Sequence, residues 1–166
     1  LKRVQDKHRG VIESGDLKEV HRAILVGEGF LFPAMKGWYL CANPRDREGG
    51  STAWYAGFWS FLSGYLGKRF GKRYCLNVEA SLLMHTRSTV VPRQVTVIAR
   101  EGGTSVLALP HDTSLLIYPD DKNVPRNRME VNGLQVPPLP ETPCKLGPPA
   151  FRNHPRQAQT ALNPIR

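Results

Sequence analysis

The chain has 166 residues, 40% of them hydrophobic and 22% charged, a globular composition long enough to bury a core and unlike that of a disordered tail. Its 23 Lys and Arg against 14 Asp and Glu leave a net charge of +9, which favours polyanionic partners, nucleic acid foremost. No apolar run approaches the ~18 residues of a membrane span and no cleavable leader pattern opens the chain, so the expectation is a cytoplasmic protein without a membrane partner.

In chain order, LKRVQDKHRG reads as a short polar helix closed by Gly10, with Leu1 and Val4 as its apolar contacts. VIESGDL follows, with two β-branched residues and then Ser14 as N-cap of a helix containing Leu17. EVHRAILVGEGF places Val20, Ala23, Ile24 and Gly27 at i, i+3, i+4 and i+7, predicting a further helix with that stripe toward the core. Gly27 and Gly29 end it. Two short apolar runs, Phe30–Met35 and Trp38–Ala42, then flank Lys36-Gly37, a two-residue turn whose glycine accepts a positive φ. Three short helices and a hairpin outline a winged helix-turn-helix over residues 1–43. In such a unit the exposed helix positions Lys18, Glu19, His21 and Arg22 face a DNA groove, and Lys36 reaches a phosphate from the hairpin tip.

NPRDREGGST, residues 43–52, is a charged, turn-rich linker. Trp54, Phe58, Phe61, Leu62 and Tyr65 follow at helical spacing, with Tyr55, Trp59 and Leu66 widening the stripe; this predicts a core helix and not a base-stacking surface. It leads into the densest basic run, GKRFGKR, whose Lys68, Arg69, Lys72 and Arg73 form a second candidate patch. YCLNVEASLLMHT reads as a strand, Asn77 as N-cap, and a helix through Leu82 and Leu83. RQVTVIAR alternates Val95, Val97 and Ala99 as a half-buried strand does, and TSVLALP and TSLLIYP are two more strands joined by His111-Asp112-Thr113. Residues 51–118 are thus a small α/β domain with a mixed or antiparallel sheet. Nine prolines between positions 119 and 155 exclude long helices from the remainder, a Pro-rich extension with a hairpin at Asn132-Gly133 and the start of a helix in FRNHPRQAQTALNPIR. The fold class is α+β.

No catalytic constellation emerges. His8, His21, His85, His111 and His154 sit in no nucleophile motif, and His111-Asp112 reads better as a turn than as an oriented imidazole. The phosphate-binding G-x-x-x-x-G-K-[ST] and G-x-G-x-x-G patterns are absent, as is the zinc-protease H-E-x-x-H. Cys41, Cys75 and Cys144 are odd in number and widely spaced, so neither a disulfide framework nor a metal site is expected, but buried, unreactive thiols. No cofactor is expected either. The chain opens on Leu1 and stops at Arg166 within a helical pattern, as a piece of a longer protein would.

Taken together, RGVIESGDLKEVHRAILVGEGFLFPAMKGWYL, STAWYAGFWSFLSGYLGKRFGKRYCLNVEASLLMHT, VPRQVTVIAR and ALPHDTSLLIYP resemble the AbiEi-type antitoxin module, in the form found at the N-terminus of bacterial Fic-family (cell filamentation) proteins. The similarity covers nearly the whole chain, with MKGWYL and STAWYAGFW its more specific parts. The resemblance implies a winged unit that binds the promoter of its own toxin–antitoxin operon, a role that falls on Lys18, His21, Arg22, Lys36 and Gly37, with Trp38 and Tyr39 as scaffold of the wing. It also implies a cognate toxin or a downstream Fic domain as partner. The Fic motif H-P-F-x-x-G-N-G-R is missing, for the sole His-Pro, His154-Pro155, continues Arg-Gln-Ala. The expectation is therefore a non-enzymatic DNA-binding antitoxin-like module, the alternative being the non-catalytic N-terminal region of a Fic-family AMP-transferase.

Overall fold

A computed structural model describes residues 10–45 and 51–163, over which the chain is mixed α+β. The helix expected over residues 1–9 and the middle of the charged linker lie outside the described residues. Contacts divide the chain into two units, one comprising residues up to Tyr65 with Leu109–Thr113, the other Leu66–Ala108 with Ser114 onward.

In the first unit, β1 (Val11–Glu13), β2 (Leu31–Met35) and β3 (Trp38–Cys41) form an antiparallel sheet in the order β1-β3-β2. The hairpin turns at Lys36-Gly37, with Gly37 at φ +84°, the region where a Cβ would be strained. Val11 faces Leu40 and Ile12 faces Tyr39 across β1–β3. The β2–β3 register shifts between Pro33 and Met35, at a proline that has no N–H to give a ladder. β1 was not foreseen: Val11 and Ile12 are β-branched, but their partners lie far along the chain.

Two helical expectations in this unit need correction. Ser14 does not cap a helix containing Leu17; Ser14–Asp16 make one 3₁₀ turn capped by Glu13, and Leu17 is extended. The Asp16 carboxylate accepts the Glu13 N–H at 2.8 Å, and the Ser14 N–H goes to the carbonyl of Gly37 at 2.8 Å, so the turn is closed locally and tied to the hairpin instead of propagating. The next helix, α1 (Glu19–Gly27), forms where expected, but its Val20, Ala23, Ile24 and Gly27 stripe does not face the core: Val20 is 69% and Ile24 56% exposed. Periodicity identifies a helix and an apolar side without saying what, if anything, covers that side.

The aromatic helix α2 (Ser51–Phe70) supplies the first unit's core through Trp54, Phe58, Phe61 and Leu62, all fully buried. β3 lies directly on it. An added Cβ at Gly57 would come 2.9 Å from Leu40 Cδ2, and one at Gly64 2.9 Å from Trp38 Cζ3; both glycines are small because a strand needs the space. Gly67, on the same helix, has nothing within 4 Å. Gly64→Ala is therefore expected to destabilise, because ~1–3 kcal/mol of overpacking exceeds the ~1 kcal/mol gained in helix propensity, whereas Gly67→Ala should stabilise by up to ~1 kcal/mol. Denaturant melts of the pair check this; equal shifts of the same sign would refute the close approach.

In the second unit, β4 (Tyr74–Leu76), β5 (Gln94–Ala99), β6 (Ser105–Leu109) and β7 (Thr113–Pro119) form a mixed sheet in the order β4-β5-β7-β6, Leu109 and Thr113 counting with the first unit. β4 runs antiparallel to β5, and β5 parallel to β7. Val95, Val97, Ala99, Leu115 and Ile117 are fully buried from one face, as the alternation required. Asn77 caps α3 (Val78–His85), its Oδ1 accepting the Ala80 N–H at 3.1 Å. β8 (Met129–Val131) and β9 (Leu134–Val136) pair about Asn132-Gly133, both at positive φ. The Pro-rich extension then makes three short helices, α4 (Glu141–Lys145), α5 (Pro148–Asn153) and α6 (Pro155–Leu162), each limited by proline. Ser81 Oγ donates to the Pro137 carbonyl at 3.0 Å and lies 3.1 Å from Thr142 Oγ1, and the His85 Nε2–H donates to the same carbonyl at 2.9 Å. These bonds fix the extension to α3. No helix among the described residues is long and apolar enough to cross a membrane.

Candidate nucleic-acid interface

α1 and the β2–β3 hairpin bring the sequence-predicted residues into one unit. Lys18 is the N-cap of α1, in extended conformation and exposed; its carbonyl accepts the Arg22 N–H at 3.0 Å. His21 is exposed one turn on, and with Leu17, Ile24 and Leu25 it lines a shallow apolar depression of about 280 Å³. Lys36 is exposed at the hairpin tip, held there by the tight turn at Gly37.

Arg22 differs from these cations. It is half-buried, donates from Nη1 to the Ser14 carbonyl at 2.9 Å, and lies 5.7 Å from the centre of the Tyr39 ring, within cation–π range. Ser14 thus receives Arg22 at its carbonyl and gives its N–H to Gly37. One residue joins helix, 3₁₀ turn and hairpin tip. Sequence reasoning gave Ser14 a capping role and missed this one; no pattern signals a backbone group that two distant elements share.

The hairpin is anchored from below by Trp38, whose ring meets Phe61 edge-on at 5.9 Å and Tyr65 at 6.1 Å. His111 and Asp112 do form a turn, both in the left-handed region at φ +55° and +56°, and the imidazole stacks on Phe32 at 5.9 Å and lies tilted against Tyr55 at 5.9 Å. His111 therefore packs within the first unit, at a turn as expected.

The second basic patch lies in the other unit and is largely engaged. Lys72 pairs with Glu130 at 3.3 Å and Arg73 with Glu101 at 2.7 Å. Arg128 donates from Nε and Nη2 to the Lys72 carbonyl at 3.1 and 2.7 Å. Arg69 lies 5.1 Å from the Phe70 ring, and with Lys68 occupies the last turn of α2, where the helix dipole favours cations. Acidic neighbours thus offset part of this patch.

The thiols divide. Cys75 is buried, and burial pushes its thiol up to about 12, leaving it protonated and inert at neutral pH. Cys144 is exposed and Cys41 half-buried, which corrects the expectation of three buried thiols. Among the described residues no cluster of His, Cys, Asp or Glu could hold a metal ion.

No protein-family model matches the chain, and neither does a curated protein or a solved structure.

Proposed function

We propose that the chain is a double-stranded-DNA-binding module of antitoxin type, with residues 1–43 acting as a winged helix-turn-helix on the promoter of its own operon and no catalytic role. The observation that carries the reading is the strand–turn–helix–hairpin order, with β3 between β1 and β2 and the Lys36-Gly37 tip bound to the turn that precedes α1. That arrangement supports a helix and a wing presented as one rigid piece. Lys18 and His21 would enter the groove, and Lys36 would contact the phosphates beside it.

Arg22 takes a positioning part in this reading. With its guanidinium committed to Ser14 and Tyr39, it sets the angle between helix and hairpin and is poorly placed to read a base edge. The second patch is the less favoured DNA contact, because Glu130 and Glu101 stand beside Lys72 and Arg73.

A fluorescence-anisotropy titration against the upstream region of the protein's own gene, at two salt concentrations, tests the proposal. Counterion release predicts a steep loss of affinity with salt. Lys36→Glu should weaken specific and non-specific DNA alike and reduce the salt dependence. Arg22→Ala should weaken both and also lower thermal stability, whereas Arg22→Lys, which keeps the charge but loses the fork and the stacking, should rescue little. Absence of binding at low salt, or binding abolished only by reversing Lys68, Arg69, Lys72 and Arg73, would remove the winged unit from the account.

A further inference from the structure

The extension that follows the sheet ends in a surface of a different character from the first unit. α5 and α6 pack inward through Ala150, Ala158 and Ala161 against Leu82 and Leu146. His154, at their junction, is buried, with Nε2 3.0 Å from Glu79 Oε1 on α3. Beside that inward stripe the helices leave a groove of about 340 Å³ lined by Phe151, Pro155, Ala158, Gln159, Leu162 and Asn163. Phe151 and Leu162 are 38% and 45% exposed there. Positions 155, 159 and 162 share one side of α6, so the groove follows the helix and is preformed by the packing beneath it.

The lining itself carries no charge, and the charged side chains of the two helices that form it are both cations. Arg152 and Arg156 are exposed, neither makes an ion pair among the described residues, and α5 and α6 contain no Asp or Glu. Elsewhere in this unit Lys72, Arg73, Arg100 and Lys145 each face a carboxylate. We propose that this groove docks an acidic amphipathic segment of a partner protein, its apolar side chains on Phe151 and Leu162 and its carboxylates toward Arg152 and Arg156.

Charge selects this occupant over the others. A second copy would bring the same two arginines against each other. A nucleic acid would satisfy the arginines but gain little from Pro155, Ala158 and Leu162, since base stacking needs aromatic faces and Phe151 is the one aromatic in the lining. The groove lies in the unit that does not hold Lys18, His21 and Lys36, so the proposal stands independently of DNA binding by the winged unit.

The probe is a fluorescein-labelled helical peptide carrying Leu at i and i+4 with Glu on the flanking positions, titrated against the full chain by anisotropy. Two twins replace Glu by Lys and Leu by Ala. Saturable binding of the acidic peptide is expected, at least about tenfold weaker for either twin. The double variant Arg152→Glu/Arg156→Glu should lose about tenfold toward the acidic peptide and gain it toward the Lys twin. That exchange of partner cannot come from misfolding, and a thermal melt of the variant accompanies it. Leu162→Asp should abolish binding. Absence of binding, equal binding of the three peptides, or affinity indifferent to the arginine reversal overturns the proposal. So does displacement of the peptide by a single-stranded RNA oligonucleotide that binds more tightly. Concentration-dependent self-association that Leu162→Asp removes would assign the groove to a second copy, and also overturns it.

Discussion

Replacing Phe58 by Ala is expected to destabilise the amino-terminal unit by about 3–5 kcal/mol, the range in which truncation of a buried aromatic falls. Phe58 is fully buried, edge-on to Trp54 at 5.4 Å and to Trp59 at 5.0 Å. Its removal forfeits apolar burial and two aromatic contacts, and it opens a cavity that a helix already pressed against β3 at Gly57 and Gly64 cannot collapse to fill. The chain's three tryptophans, Trp38, Trp54 and Trp59, all lie in this unit, so tryptophan emission in a denaturant titration reports it directly. An unchanged midpoint would show that the aromatic side of α2 is a surface and not a core.

Alkaline unfolding is the second expected result, and it reports the other unit. Burial pushes the Tyr74 phenol from 10.0 to about 12 and the Cys75 thiol from 9.0 to about 12. Both groups are neutral when protonated, and both hold their proton more tightly folded than unfolded. The stability they contribute is therefore intact below about pH 9, declines as the unfolded chain releases these protons, and is lost by about pH 12. The Tyr74 share of the phenolate absorbance, taken as the difference from a Tyr74→Phe variant, should rise together with the loss of structure and not before it. Cys75→Ala should lessen the loss of stability between neutral and alkaline pH, since release of only one of the two protons then opposes folding. A loss of unchanged size would mean the thiol ionises without unfolding the strand.

The elements that could be read from the sequence are those whose cause is local. Lys36-Gly37 and Asn132-Gly133 close hairpins because glycine at those places has positive φ, and Asn77 caps α3 with its own side chain. Val95, Val97 and Ala99 alternate because every second residue of a half-buried strand must face the core. What escaped reading depends on partners remote in sequence. β1 exists because Leu40 and Tyr39 arrive opposite Val11 and Ile12. The Ser14–Asp16 turn stops after three residues because its first N–H is drawn to Gly37. Of the candidate interface, Lys18, His21 and Lys36 are exposed on the elements expected. Arg22, expected to face the groove with them, is instead occupied by Ser14 and Tyr39, a use that its place on the helix could not disclose.

The first unit is not a continuous stretch of chain, and this bears on how the protein is made. Residues up to Tyr65 are joined by Leu109–Thr113, where His111 stacks on Phe32 of the hairpin strand and leans against Tyr55 of α2. On the ribosome an amino-terminal domain ordinarily folds first, as soon as its own residues have cleared the exit tunnel. Here the hairpin and α2 must wait, incompletely covered, while the intervening segment from Leu66 to Ala108 is synthesised. The amino-terminal unit reaches its final packing only after Thr113 emerges, so the order of synthesis and the order of completion differ.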